Sequence, residues 1–426
     1  MCIRDRLYAT MQSLEKLERY EGHLLNWYDI QSLTPLEPRY VSSVDSGNFL
    51  GSLWTLQQGL KDQFNNEIIN KTAFNGLYDT GCMLQRVLKP HSTFSQADKE
   101  LQQLLDTLEK PPRRTFDQLS LLKQTKERAT KIIAPLLHDA ATDSDLHYWA
   151  NALQTEIDEW QRATDRYLGW VVLLGKKQDN ELTRAAIKNL AEIEEDLADA
   201  PSLQTLSRGL SASIPVLTLI SEHAHSESAA LANWANEVLE SFATAQRQAV
   251  IFRERHDRLL SDIRKLAGEI NLKFLYEPER KLFSIGYNVS TGQMDNSYYD
   301  LLASEARFGG YVAIARGDVP MEHWFTMGRP HALIGRHRVL LSWTGTMFEY
   351  LMPQIFLRSY RYSLLDKATK NAVEAQIAFG HKNRIPWGIS ESAFGDLDFN
   401  KTYPVSYTHL RAHETVLVIA YAVFCL

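Results

Sequence analysis

Three glutamates in the last third of this 426-residue chain sit in company that suits carboxyl chemistry. They are Glu305 in LLASEARF, Glu349 in MFEYLMP and Glu391 in PWGISESAF. Moving a glycosidic bond requires two carboxyl groups. One gives a proton to the leaving oxygen; the other attacks the anomeric carbon or activates a water. Glu391 lies between Ser390 and Ser392, just after the turn-forming Pro386-Trp387-Gly388. Hydroxyls and loop amides keep such a carboxylate ionised, as a nucleophile or base must be, although an N-cap or turn acid has the same neighbours. Glu305 follows DNSYYD. Tyr298 and Tyr299 could desolvate it and hold its proton near neutral pH; the plainer reading is a helix acid paired with Arg307 or with water. Glu349 suits either a satisfied core polar group or a substrate contact. Spacing alone does not choose among these, because helical proteins offer many glutamate pairs.

A second set of residues could hold a sugar. NWYD and VDSGN bring Asn26, Trp27, Asp29, Asp45 and Asn48 close in sequence. Amides and acids grip hydroxyl pairs and an indole face stacks on a pyranose, but a capped, turn-rich helix junction has the same composition. Trp387 is a further candidate contact, and Trp343 in SWTG divides about evenly between core and subsite. Trp324 divides between core and subsite, and His323 reads first as a structural hydrogen-bonder. No Cys/His cluster indicates zinc and no glycine-rich phosphate loop is present, so no metal or cofactor is expected. A net charge of −6 with mixed signs gives no basic face for nucleic acid. Cys2, Cys82 and Cys425 make no disulfide framework and suit a reducing compartment. No apolar run reaches the ~18 residues of a membrane span, and no signal peptide is visible.

The elements that must position these residues divide the chain. Residues 7–63 mix helix signals with aromatic loops: Leu14, Leu17, Tyr20, Leu24 and Leu25 are spaced for one helix face, and Asp45 or Ser46 is placed to cap a second helix. Residues 99–268 are rich in helix formers, with LEKPPRR and ADAPSL as breaks and Gly268 near the close of a long last helix. From Phe274 the texture changes. FSIGYNV reads as a strand, STGQMDN as its turn, and helices are expected over 298–317, 345–360 and 364–383, separated by Trp- and Gly-rich loops. Helices joined by aromatic loops point to a mainly α fold, a helical toroid with its site at one mouth. Residues 1–6 and 405–426 do not continue the patterns beside them. They resemble translated sequencing adapter and are set aside.

The long motifs in residues 26–53 and 283–330, followed by LSWTGTMFEYLMPQIF and PWGISESAF, resemble the central region of cyclic β-1,2-glucan synthases; the latter half is similar to the glycoamylase-like domain. The resemblance spans nearly all of residues 7–404. It implies an (α/α)6 toroid, incomplete at the C-terminus, with an N-terminal helical part at 7–270 and a catalytic part at 271–404. It further implies retaining transglycosylation that closes linear β-1,2-glucan into rings, with Glu305 as acid/base and Glu391 as nucleophile. Asn26, Trp27, Asp29, Asp45, Asn48, Tyr298, Tyr299, Trp343, Glu349 and Trp387 then become substrate contacts. An inverting endo-β-1,2-glucanase and a non-catalytic glucan scaffold are the alternatives. The implied partner is β-1,2-glucan. The implied parent is a larger membrane protein working at the cytoplasmic face of the inner membrane, touching the membrane only through parts outside this chain. Because the family's barrel continues past Glu391, this polypeptide by itself is expected to be unstable and inactive.

Overall fold

A computed structural model of the chain describes residues 3–90, 94–139, 144–174, 200–211, 213–223, 229–335 and 337–390. It is mainly helical with a few short strands. Two compact units form. One joins Met1–Gly59 to Leu259–Leu426, and the other is Leu60–Arg258. The boundaries therefore fall at 59/60 and 258/259 rather than once near residue 270.

Strand pairing explains the first grouping. Strand β3 (Tyr40–Ser42) runs antiparallel to β6 (Gly286–Asn288), which pairs in turn with β7 (Gln293–Met294). The N-terminal stretch thus shares a sheet with residues almost 250 positions later. A glycine contact reinforces it. Helix α2 (Ser43–Asn65) meets α10 (Ala306–Arg316) where a Cβ on Gly47 would lie 2.4 Å from the Gly309 Cα.

Two local expectations change in this unit. Helix α1 (Ile3–Lys16) stops before Leu17, and strands β1 (Arg19–Tyr20) and β2 (His23–Leu24) form a hairpin in place of more helix. Glu21 and Gly22, with φ of 51° and 80°, make the tight turn between them. Positive φ at both central residues is what a two-residue hairpin requires. Helix α2 is capped one turn earlier than Asp45 or Ser46, since the Asp45 amide donates to Ser42 Oγ at 3.2 Å. Residues 3–6, expected to be foreign to the fold, continue as the opening turn of α1; residues 405–426 lie outside the described residues.

The remainder of this unit is a set of short elements. Hairpins β4 (Tyr276–Glu277)/β5 (Leu282–Phe283) and β8 (His331–Ile334)/β9 (His337–Leu340) flank α10 and the short α11 (Glu322–Thr326). Helices α12 (Met347–Phe356) and α13 (Leu364–Asn383) pack on a small core of Ala303, Val339, Leu340, Met347, Tyr350, Ala368 and Ala372.

Leu60–Arg258 is built differently. Helices α3 (Lys71–Leu88), α4 (Ser95–Leu108), α5 (Thr115–Asp139) and α6 (Asp145–Leu174) carry apolar stripes that meet in one core. On α3 the buried Phe74, Leu77, Leu84 and Leu88 fall on one face. Asn70 caps that helix by accepting from the Thr72 amide at 2.8 Å. LEKPPRR is the break between α4 and α5, as the prolines dictate. The short α7 (Leu203–Ser207) and α8 (Ser213–His223) precede α9 (Ala229–Glu269), the longest helix, which ends one residue after Gly268.

Candidate active site

Glu305 is not inside a helix. The 298–304 stretch is irregular because its backbone bonds elsewhere: the Tyr299 amide donates to Phe283 O at 3.0 Å and the Leu302 amide to Gly328 O at 2.9 Å. Helix α10 starts at Ala306, so Glu305 is the half-buried residue just before its first turn. Ser304, fully buried, pins it from behind. Its hydroxyl lies 3.3 Å from Glu305 Oε2 and accepts from the Ala306 amide at 3.2 Å.

Arg307 does not form the exposed helical ion pair open to it from the sequence. It is 2% exposed and turns inward onto three carbonyls: Ser304 O at 2.9 Å, Glu349 O at 2.8 Å and Tyr350 O at 2.8 Å. Burial lowers its pKa to about 10, with the nearby Glu305 and Tyr350 acting in the opposite direction. Arg307 thus fastens the turn that carries Glu305 to the first turn of α12.

Glu349 sits 3% exposed at the N-terminus of α12. Its carboxylate accepts from Ser342 Oγ (3.0 Å), the Trp343 amide (2.9 Å), the Thr344 amide (3.2 Å) and hydroxyl (2.7 Å), and the Thr346 amide (3.0 Å) and hydroxyl (3.2 Å). Thr346 and Glu349 form a capping box. Of the two roles open for Glu349, these surroundings match the satisfied buried group. It holds the 342–346 loop, on which Trp343 is 53% exposed.

Glu391 lies outside the described residues, but the chain leading to it is held firmly. The Gly388 and Ile389 amides donate to Gln376 Oε1 at 3.0 and 2.8 Å, and the Met347 amide donates to Ile389 O at 2.8 Å. Trp387 is 48% exposed on this strip. The turn bearing Glu305 and the strip entering Glu391 are therefore both tied to the opening turn of α12.

The other expected contacts are distributed around this unit. Tyr299 lines a cavity of about 10 Å³, room for roughly one water, together with Ser43, Ala306, Gly310 and His323. The ring of Tyr298 lies under the Arg280 guanidinium at 4.7 Å. Asn26 begins a loop whose amide bonds to Tyr40 O at 2.9 Å, and Trp27 is partly exposed there. Asp29 organises its own turn: Oδ1 accepts from the Ser32 amide and hydroxyl and from the Gln31 amide, and those bonds, Ser32's foremost, hold its pKa below the usual carboxylate range. Asp45 is exposed on α2. Asn48 is half-buried, with Oδ1 enclosed and lacking a hydrogen-bond partner.

His323 proves to be a structural hydrogen-bonder. Nδ1 lies 3.0 Å from Lys281 O between the rings of Tyr276 and Phe283, and burial lowers its pKa. A Cβ on Gly310 would come within 2.5 Å of its Nε2. Trp324 stands edge-on to Tyr311. Among the described residues no group of three or more His, Cys, Asp or Glu is placed to hold a metal ion, and no helix is long and apolar enough to cross a membrane.

Ser304, Arg307 and Gln376 were not foreseen as site residues. Only the Thr-x-x-Glu spacing of 346–349 announced its role in the sequence. Arg307 and Gln376 act on backbone groups, which leave no sequence pattern.

No family model matches the sequence. Over 406 residues, 93% of its length, the chain is 30% identical to the cyclic beta-(1,2)-glucan synthase NdvB of Rhizobium meliloti (strain 1021). The chain is similar to a segment of that synthase. It spans about one eighth of that relative (12%).

Proposed function

We propose that the chain carries a glycosyl-transferring site of cyclic β-1,2-glucan synthesis, working by retaining transglycosylation within an (α/α)6 toroid. The observation that carries this reading is the shared anchorage on α12. Arg307 ties the Glu305 turn to Glu349 O and Tyr350 O, while Met347 ties the strip entering Glu391 through Ile389 O. Two segments whose acids are 86 positions apart in sequence (391 − 305) are thus held by one helical turn. The likeness to a glucan synthase segment supports the substrate class.

In this reading a Glu391 carboxylate oxygen attacks the anomeric carbon of an internal β-1,2 linkage. Glu305 gives its proton to the departing O2, and a covalent glycosyl-enzyme forms with inversion. Glu305, now a carboxylate, takes the proton of the 2-hydroxyl at the far end of the same glucan. That oxygen displaces Glu391 with a second inversion, and the chain closes with net retention. Water in its place would give hydrolysis. Trp343 and Trp387 offer exposed faces for sugar rings. The longer parent would supply any contact with the membrane.

Replacing Glu391 or Glu305 with Gln in the full-length synthase tests this. Ring formation should fall by ~10²–10⁴-fold or more for the acid/base alone, with glucan binding retained. Azide added to Glu391→Ala should give a product of inverted anomeric configuration. With Glu305→Ala and an activated donor, azide should instead be captured with net retention. An inverting endo-glucanase would produce no covalent intermediate, and a scaffold would lose no activity in either variant.

A further inference from the structure

Helix α12 contains Pro353, which has no N–H to return to the carbonyl four residues earlier. That carbonyl belongs to Glu349, and Arg307 Nη1 donates to it at 2.8 Å from another helix. The same guanidinium reaches Tyr350 O and, at 2.9 Å, Ser304 O, the carbonyl of the peptide bond leading into Glu305. No acid stands within ion-pairing distance of Arg307 among the described residues.

We propose that Arg307 is a positioning residue for the acid/base, holding the Glu305 turn on α12 and keeping a fixed positive charge behind its carboxyl. This rests on the functional reading above. A neutral donor would satisfy the carbonyl stranded by Pro353. A buried cation, desolvated at cost, also brings a charge that acts on Glu305. Beside Glu305 that charge favours the carboxylate form, the form that must accept a proton when the second hydroxyl attacks. Glu349 and Tyr350 on α12 stand at this point, their carbonyls both accepting from Arg307. Glu349 is occupied by its own loop and burial pushes the Tyr350 pKa up, while Glu305 and the Arg307 guanidinium act on each other electrostatically.

Pro353 makes the test sharp. Pro353→Ala restores the intrahelical donor, so the Glu349 carbonyl no longer depends on Arg307. The full-length synthase carrying Arg307→Gln with Pro353→Ala is compared with wild type, Pro353→Ala alone and Arg307→Lys. Melting temperature, kcat, KM and the pH profile of glucan conversion are measured for each. The double variant should melt near wild type with KM little changed, while kcat falls by about 10²-fold, as misplacement of a catalytic group does. The alkaline limb of its profile, set by loss of the Glu305 proton, should move to higher pH. Arg307→Lys keeps the charge and loses the fork, so its alkaline limb should stay in place with kcat reduced. Recovery of kcat together with stability in the double variant would make Arg307 a purely structural donor and overturn the inference. If the double variant does not fold, a wild-type kcat in Arg307→Lys overturns it equally. A wild-type protein that leaves β-1,2-glucan unconverted removes the functional reading instead, and this inference with it.

Discussion

Both units bury apolar residues, but they differ in the polar groups buried beside them. Leu60–Arg258 stacks long helices through leucine, isoleucine and aromatic stripes around a core that includes Phe74, Leu84, Leu105, Ile157 and Trp170. The unit made of residues 1–59 and 259–426 combines helices with strands of two to four residues. Its interior includes Ser42, Ser43, His23, Ser284, Ser304, Arg307, His323 and Glu349. Apolar stripes give stability without directing any group outward. Buried polar networks fix loop backbones in one arrangement, and loops held that way are where chemistry is placed. The unit with the larger share of buried polar groups is accordingly the one that holds the candidate site.

The largest test of that contrast is Trp170→Ala. Trp170 is 1% exposed, stands edge-on to Phe242, and donates from Nε1 to Tyr167 O at 3.1 Å. Emptying this place should cost about 3–5 kcal/mol, read as a lowered urea midpoint for the transition that includes α6. A loss below about 1 kcal/mol, the size of an ordinary substitution, would mean that the helical core is not the main source of stability there.

Next is Glu349→Gln. The amide keeps the shape but turns one acceptor into a donor facing the Thr344 and Thr346 hydroxyls and amides. The expected loss is about 1–3 kcal/mol, with faster hydrogen exchange at 342–346. Unchanged exchange in that loop would show that the carboxylate does not hold it.

These two residues also mark what the sequence made legible. The apolar periodicity of 146–174 announced α6, and LEKPPRR its place in the helix order, because both signals are local. Helix α13 matched 364–383 for the same reason. The hairpin at 19–24 was hidden by leucines that also fit a helix face; only the Glu21-Gly22 turn decides between them. The grouping of residues 1–59 with 259–426 rests on β3 pairing with β6, a contact across almost 250 positions that no local pattern records. At the site, the sequence left Glu349 open between core group and substrate contact, although the Thr346-x-x-Glu349 spacing carries the capping-box signal. Arg307 was not legible, since its partners are main-chain carbonyls, one of them stranded by a proline 46 positions later (353 − 307).

A smaller effect should separate the units by pH. His23 and His323 both lie in the polar unit, and burial is the main cause that lowers the pKa of each. Their folded pKa values lie below the ordinary value of about 6.5. As pH falls below that value the unfolded chain binds protons that the folded unit refuses, so stability is lost on acidification. Each histidine contributes at most about 1.4 kcal/mol per pH unit. In the helical unit Glu156 is shifted the other way, its pKa raised by burial. Its contribution is present at low pH and declines as pH rises through the folded value, so acidification does not weaken that unit through Glu156. Denaturant titrations at pH 7 and 5 should show the transition of the polar unit moving first. Replacing His323 with Gln should reduce the slope, and an equal slope in that variant would exclude His323 as a source.

The smallest expected effect comes from Ile355 on α12. It is 76% exposed, one helical turn from the buried Met352. A side chain that stays in water when the chain folds has little hydrophobic stabilisation to lose. Ile355→Ser should therefore change stability by no more than about 0.5 kcal/mol in this chain. The contrast with Trp170 is the point: both are large apolar residues on helices, and only burial separates their costs. Ile355 is joined on the exposed surface of the same unit by Phe348, Tyr360 and Phe325. If Ile355→Ser instead lowered the melting temperature strongly, and did so more at high protein concentration, the face would be covered by a second copy in solution. The polar unit would then draw apolar burial from association, and the difference between the two units would be one of partner rather than of composition.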